Sequence, residues 1–341
     1  MKIGIVGYRG SGKSTLFEWL TGEAADPALA HTCQTAMAPV VDPRMAALCE
    51  IYRPKKSTFA ALEMADTPGV SRTHEDSAAK LAMIREAGCL VIVMAAYGGN
   101  DALTDLNHFE DDLLIADLDI VAGRVERLRE VVRKPRPNRE ELQKDLQALE
   151  PLQAALEAGK HLRDLELTPD QKRLVRAFQL LSEKPRLVVF NVADDEPNPR
   201  RFCEQAPAGV ETESCSVLLQ RELARMEAAE REEFCREMGV TLCDRDQLLR
   251  RIMDVSGYHL FFTTSEKEVR AWMLRKGGTA LEAAGLIHTD LARGFIRAEA
   301  MSCEDLVRLG SEREVKAHNR MRQEHKDYLV QDGEILFIRH S

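Results

Sequence analysis

The sequence predicts an α/β protein with a parallel-rich sheet, an inserted coiled-coil-like α-helical hairpin and a small α+β domain towards the C-terminus. Three observations carry that expectation. Short apolar runs alternate with helical patterns over residues 1–104 and resume near 186, leucines and valines fall into heptad spacing in between, and strand-like segments separated by glycine turns fill 256–341.

Taken in order, 3–6, 60–65 and 89–95 read as strands, with a helix over 14–20. The run of Leu, Val, Val and Phe within 186–190 suits a strand buried on both faces of a parallel sheet. One domain is thus expected over 1–104 and 166–250, split by an insertion at 105–165. Within the insertion Leu118, Val121, Val125, Leu128 and Val132 follow a coiled-coil seam, and Leu142, Leu149 and Leu156 keep a seven-residue beat. Pro135 and Pro137 stop a helix between them, so the insertion reads as an antiparallel hairpin with its tip at 133–138. Further strands at 268–274, 294–299 and 334–339, with a helix over 279–284, define the third domain at 256–341.

Composition narrows the function classes. With 44% apolar and 30% charged residues the chain reads as globular, and no run of 18 apolar residues suggests a membrane span. The N-terminus enters a glycine loop without the features of a secretory signal, so a cytoplasmic location is expected. Eight cysteines form no C-x-x-C pair and nine histidines no H-x-x-x-H, which argues against zinc or a disulfide framework. The net charge of -9 argues against a surface that coats nucleic acid. Against that background the segment from Arg124 to Arg139 is locally basic, with residues 124, 127, 129, 133, 134, 136 and 139 facing only Glu126 and Glu130. It reads either as a solvated helix face or as a phosphate contact, with ribosomal or other RNA as the partner.

The strongest local signal is Gly7-Tyr8-Arg9-Gly10-Ser11-Gly12-Lys13-Ser14, which fits G-x-x-x-x-G-K-S between a strand and a helix. Glycines let successive N–H groups curl around phosphate oxygens at a positive helix end, and Lys13 offsets β/γ-phosphate charge while Ser14 ligates Mg²⁺. The core is therefore expected to be a P-loop NTPase core, with Gly7, Gly10, Ser11, Gly12, Lys13, Ser14 and Thr15 on the nucleotide. Asp66-Thr-Pro-Gly69 ends the strand at 60–65, where Asp66 can hold the Mg²⁺ shell and the Gly69 N–H can sense a γ-phosphate; helix capping by Asp66 is the alternative. Lys13, Asp66 and Gly69 are the expected catalytic residues. Val70 stands where signalling GTPases carry a water-orienting glutamine, so slow unassisted turnover is expected; His74 is a candidate helper or a solvated loop residue. Asn191-Val192-Ala193-Asp194 occupies the base-reading position. Asp194 can accept from guanine, but Val192 replaces the usual lysine, so ATP and GTP both remain open.

With these motifs, and with the strings Val269 to Gly277, Ala283 to Asp290 and Gly294 to Glu299 ending in Tyr328-Leu-Val-Gln-Asp-Gly333, the sequence resembles the Obg-like ATPase family, also called YchF, along essentially its whole length. The resemblance implies a translation-factor-class NTPase with a C-terminal TGS domain, ribosome binding, and a preference for ATP. By position it carries Gly12, Lys13 and Ser14 onto the phosphate and Mg²⁺ residues, Asp66 and Gly69 onto the second switch, and Asn191 onto the base-motif asparagine. Ser216 falls near the start of the last base-binding loop. It also implies that Thr32 or Thr35, ahead of Val41-Asp-Pro-Arg44, meets Mg²⁺, and Thr35 is carried as the metal residue. Departures cluster at the site. Gly10 replaces an asparagine that in relatives helps hold a monovalent cation, Met83 stands where some members have a catalytic histidine, Asp194 replaces a glutamate, and Leu218 falls near a base-loop lysine. Arg9 is either an internal charge-stabilising arginine or a solvent-facing loop residue. These departures keep two other readings open: a GTPase switch using Asp194 for guanine, and a hydrolysis-impaired ribosome- or RNA-binding protein.

Overall fold

From the N-terminus the elements are β1 (Lys2–Val6), α1 (Lys13–Thr21), β2 (Gln34–Val40), α2 (Pro43–Tyr52), β3 (Lys56–Thr58), β4 (Ala60–Asp66), α3 (Ser77–Ile84) and β5 (Cys89–Ala96). Two long helices follow, α4 (Ala102–Val132) and α5 (Arg139–Glu157). Then come α6 (Pro169–Phe178), β6 (Arg186–Val192), α7 (Arg200–Gln205), β7 (Glu211–Cys215), α8 (Val217–Leu223), α9 (Ala228–Met238) and α10 (Arg245–Val255). The rest is β8 (Tyr258–Thr264), β9 (Glu268–Arg275), α11 (Ala280–Ile287), α12 (Thr289–Arg293), β10 (Phe295–Ser302), α13 (Cys303–Leu309), α14 (Glu312–Ala317), β11 (Arg322–Glu324) and β12 (Glu334–His340). The structure, a computed structural model, describes residues 1–72 and 77–341, the side chains of 77–79 excepted. It divides into two units, Met1–Ala36 with Glu63–Cys243, and Met37–Leu62 with Asp244–Ser341.

The first unit is organised by a six-stranded sheet in the order β2-β4-β1-β5-β6-β7. The pairs β1/β4, β1/β5, β5/β6 and β6/β7 are parallel, with Ile3 opposite Cys89 and Leu90 opposite Arg186. Every residue of β5 is buried, as a strand covered on both faces requires. One face packs Val6, Ile92, Met94, Val188 and Phe190 against Leu106, Phe109 and Leu113 of α4. Parallel pairing brings the carboxyl ends of β1, β4, β6 and β7 to one edge of the sheet, the usual ligand edge of an open α/β sheet.

The insertion is the expected antiparallel pair. Asp101 caps α4 by accepting from Thr104 N at 3.1 Å, and the helix ends three residues before Pro135. Val121, Val125 and Leu128 bury against Leu149, Leu152 and Leu156, with Leu118 and Leu142 partly covered at the margins. Leu174 and Val175 of α6 complete the same cluster, so the helical layer is broader than a two-helix hairpin. At its root, buried Asp117 accepts from Leu181 N at 2.9 Å, Ser182 N at 2.7 Å and Arg85 Nη1 at 2.7 Å. Glu110 is held by Arg163 and Arg186. A buried carboxylate needs such partners, so these contacts fix where the hairpin leaves the sheet.

The second unit has its own six-stranded sheet, ordered β11-β10-β12-β8-β9-β3. Its core gathers Phe261, Leu274, Ala280, Ala283, Ala298, Val330 and Leu336. Residues 37–62 and 244–255 belong with this module, whereas the sequence reading placed them, up to 250, with the P-loop domain. The reason is long-range pairing: β3 runs parallel to β9 with Lys56 opposite Glu268. Arg44 of α2 pairs with Asp42 at 2.8 Å and Asp332 at 2.7 Å, and lies 5.3 Å from the Phe262 ring centroid. Among the described residues, no helix is long and apolar enough to cross a membrane.

Leu149→Ala should remove a fully buried seam contact and destabilise the first unit by about 2–4 kcal/mol. A urea denaturation midpoint unchanged from wild type would show that the α4/α5 seam carries no such weight.

Candidate nucleotide-binding site

The loop from Gly7 to Ser14 leaves β1 and enters α1 through backbone conformations that suit glycine. Gly7 has φ 144° and Gly12 φ 100°. A Cβ at Gly7 would stand 2.4 Å from Val93 O, and one at Gly12 would stand 2.2 Å from Asn191 Nδ2. Neither position admits a side chain without displacing its neighbour. The loop thus presents backbone rather than side chains at the N-terminus of α1, where the helix dipole favours an anion.

Lys13 Nζ donates to Tyr8 O at 3.0 Å. Burial pushes its ammonium down to about 8, with Asp66 opposing that fall and Arg9 adding to it. Ser14 Oγ donates to Asp66 Oδ2 at 2.6 Å. Burial raises the Asp66 carboxyl above its ordinary range, while the Ser14 bond and Lys13 oppose the rise. Asp66 Oδ1 is buried and has no hydrogen-bond partner among the described residues. A hydroxyl beside a carboxylate with one unsatisfied oxygen is the donor chemistry a hard divalent cation takes, so these residues fit Mg²⁺. Thr15 lies half-buried in the first turn of α1. Thr35 is exposed on β2, and the Thr32 hydroxyl donates to Leu29 O at 2.9 Å; neither threonine is joined to Ser14 or Asp66 by a hydrogen bond among the described residues.

The Asp66 to Gly69 tetrad is stitched to the loop. Val70 N donates to Gly7 O at 3.1 Å, and Arg9 N donates to Val70 O at 3.1 Å. Val70 is 3% exposed and its side chain joins the sheet core, where it offers no polar group to a water. Met83 is 41% exposed on α3. His74 lies outside the described residues.

On the base side, Asn191 Nδ2 donates to Ser11 O at 3.0 Å and its Oδ1 accepts from Val217 N at 3.0 Å. One side chain therefore fastens the phosphate loop to the loop after β7. Ser216 donates to Asp194 and accepts from Leu219 N at 3.3 Å as the cap of α8. Val192, expected near the base, is buried in the sheet core beside Val188 and Phe190. Its side chain serves the fold, because the final residue of a doubly covered strand faces the packed layer. Leu218 is exposed on α8.

Contacts from residues far along the chain complete the loop's surroundings and were not anticipated from sequence. The Tyr97 hydroxyl donates to Gly10 O. Tyr8 donates to Asp112 Oδ2 at 3.3 Å and meets Phe109 edge-on at 5.5 Å between centroids. Arg72 stacks over Tyr8 at 5.0 Å and pairs with Asp105 at 2.6 Å. Tyr97 follows the carboxyl end of β5, the sole signal that could have marked it.

The Lys13 shift has a pH consequence. In the free protein the ammonium loses its proton near pH 8, and phosphate oxygens favour the charged form, so nucleotide binding above that pH must take up a proton. Affinity should be level below pH 8 and fall as pH rises beyond it, by at most about tenfold per unit. Titration calorimetry in buffers of different ionisation enthalpy reads this directly, and no proton uptake at pH 9 would place the Lys13 amine away from the phosphates.

Comparison with known proteins gives matches along nearly the whole chain. Residues 2–122 match a family model described as "50S ribosome-binding GTPase", and 258–341 match the YchF-GTPase C-terminal model, described as "Protein of unknown function (DUF933)". The "Ribosome-binding ATPase YchF" of Bacillus subtilis (strain 168) is 32% identical over 362 residues, 98% of each chain. "Obg-like ATPase 1" of Oryza sativa subsp. japonica is 31% identical and covers 99% of this chain and 92% of its own. The solved Schizosaccharomyces pombe YchF GTPase shares the fold, with a TM-score of 0.83 at 24% identity over 99% of this chain and 97% of that one. Identity above 30% along nearly the full length, on a fold whose sheet edge carries the phosphate loop, means that the chain belongs to the YchF family of Obg-like P-loop NTPases.

Proposed function

We propose that the protein is a Mg²⁺-dependent purine nucleotide hydrolase of slow intrinsic turnover, with ATP favoured, acting as a nucleotide-dependent switch at the ribosome. The observation that carries this reading is the convergence of the Gly7 to Ser14 amides, Lys13 Nζ and the Ser14–Asp66 pair on one sheet edge. The loop amides bind and orient the phosphate tail, Lys13 offsets charge on its β- and γ-oxygens, and the Gly69 N–H meets the γ-phosphate. Mg²⁺, held by Ser14 and Asp66, supplies further charge neutralisation when bound. Buried Val70 offers the attacking water no polar group, which supports slow turnover.

The preference for ATP rests on the names of the bacterial and plant relatives. GTP is the second reading, since Asp194 accepts one hydrogen bond from Ser216 and its carboxylate keeps further lone pairs for guanine. Ribosome binding rests on the relatives' names and on the hairpin tip. Arg129 pairs with Glu150 at 2.8 Å, but Arg133, Lys134, Arg136 and Arg139 are exposed and make no ion pair among the described residues. Such a cluster on an anionic protein suits phosphate-rich RNA.

Parallel ATP and GTP titrations with Mg²⁺ should give the tighter binding for ATP, and Lys13→Ala should lose at least about tenfold in affinity for both, the order expected when a charged phosphate contact is removed. Equal affinities would remove the preference, and an unchanged Lys13→Ala variant would remove Lys13 from the site. Replacing Arg133, Lys134 and Arg136 by glutamate should abolish cosedimentation with ribosomes at moderate salt while leaving nucleotide binding intact; undiminished cosedimentation would acquit the tip.

A further inference from the structure

We propose that Arg9 is a catalytic residue of this site, an arginine supplied in cis that meets the γ-phosphate during its transfer to water. The proposal rests on the hydrolase reading above. Arg9 stands on the phosphate loop itself, and its backbone is pinned by the N–H bond to Val70 O at 3.1 Å. Its side chain starts out across Gly69. A Cβ placed on Gly69 would stand 2.8 Å from Arg9 Cα and 2.9 Å from Arg9 Cγ. The stem of the arginine therefore runs over the glycine whose amide faces the terminal phosphate.

The guanidinium beyond that stem is uncommitted. Arg9 is exposed, and its side chain makes no hydrogen bond or ion pair among the described residues. Arg72, the neighbouring cation, is engaged by Asp105 and by Asn100 Oδ1 at 3.2 Å, and stacks on Tyr8. Arg9 and Lys13 stand on the same loop, four positions apart, so the two cations share one neighbourhood.

Chemistry supplies the need. A water oxygen bonds to the γ-phosphorus while the bond from that phosphorus to the β–γ bridging oxygen breaks. The electron pair leaves with the nucleoside diphosphate, and the water's proton passes to an oxygen of the released phosphate. Negative charge builds on the bridging and equatorial oxygens as this happens, and a cation placed there lowers the barrier. Val70, buried in the sheet core, contributes nothing polar to that charge. The Arg9 guanidinium presents a planar, cationic fork to phosphate oxygens. It also arrives on the same loop that binds the substrate, so no partner protein has to deliver it.

The test compares the full chain with Arg9→Ala, a truncation at an exposed position that leaves the core untouched. Steady-state hydrolysis of ATP and GTP is measured, and ADP and GDP are titrated with Mg²⁺, with and without aluminium fluoride as a mimic of the transferring phosphoryl group. Arg9→Ala should lose at least about 100-fold in kcat, shift affinity for the diphosphates by less than about twofold, and lose the gain in affinity that aluminium fluoride gives the wild type. Hydrolysis as fast as wild type or faster, or a retained aluminium fluoride gain, overturns the proposal and leaves the hydrolase reading standing. Equal losses for diphosphate alone and for the aluminium fluoride complex also overturn it, since they make Arg9 a ground-state contact. A wild type that binds neither diphosphate overturns the hydrolase reading, and this proposal falls with it.

Discussion

The close approach of Asn191 to Gly12 is the contact on which the nucleotide corner depends. Asn191 comes from the end of β6, yet its Nδ2 fills the space a Cβ at position 12 would need, and the same side chain reaches Ser11 O and Val217 N. Three loops at one sheet edge are thereby fixed against each other. The approach is possible because β1, β5 and β6 lie side by side in parallel register, with Ile5 opposite Val91 and Val91 opposite Leu187. Any side chain at 12 would push Asn191 away and with it the loop that begins at Ser216. Tight packing of this kind transmits small displacements rather than absorbing them.

Much of the first unit was legible because its central strands are buried on both faces, so β1, β4, β5 and β6 stand out as apolar runs. β7 did not. Its sequence, Glu-Thr-Glu-Ser-Cys, is that of an edge strand with solvated positions, and no alternation of apolar residues marks it. β3 is likewise polar, Lys-Ser-Thr, and gains its place from pairing with β9 more than two hundred residues later. Nothing local in 37–62 says that this stretch packs with the C-terminal module, because the Arg44–Asp332 and Tyr52–Glu312 contacts join chain segments remote in sequence.

The site divides in the same way. Gly7 to Ser14 and Asp66 to Gly69 are local motifs whose chemistry is written in consecutive residues. The brace of Tyr8, Asp112, Phe109 and Arg72 is not, since it draws on α4 and on the segment after Gly69. Val192 shows the opposite case. The residue sits in a base-reading motif, yet strand periodicity turns its side chain into the core.

Burial of Lys13 costs the folded protein something, because a desolvated ammonium is less easily held in its charged form. The same burial makes the residue effective. Charges interact more strongly where water is excluded, so an ammonium fixed by Tyr8 O and aimed into the loop gains more from an arriving phosphate than a solvated lysine would. Stability forgone in the empty site is recovered as binding energy when the triphosphate supplies the counter-charge. The Asp66 carboxyl is placed on the same terms, raised by burial, with one oxygen satisfied by Ser14 and the other without a partner among the described residues. Two groups of opposite sign, each under-satisfied on its own, are what a site for a metal-bound polyphosphate requires. A surface salt bridge between them would have cancelled both before the ligand arrived.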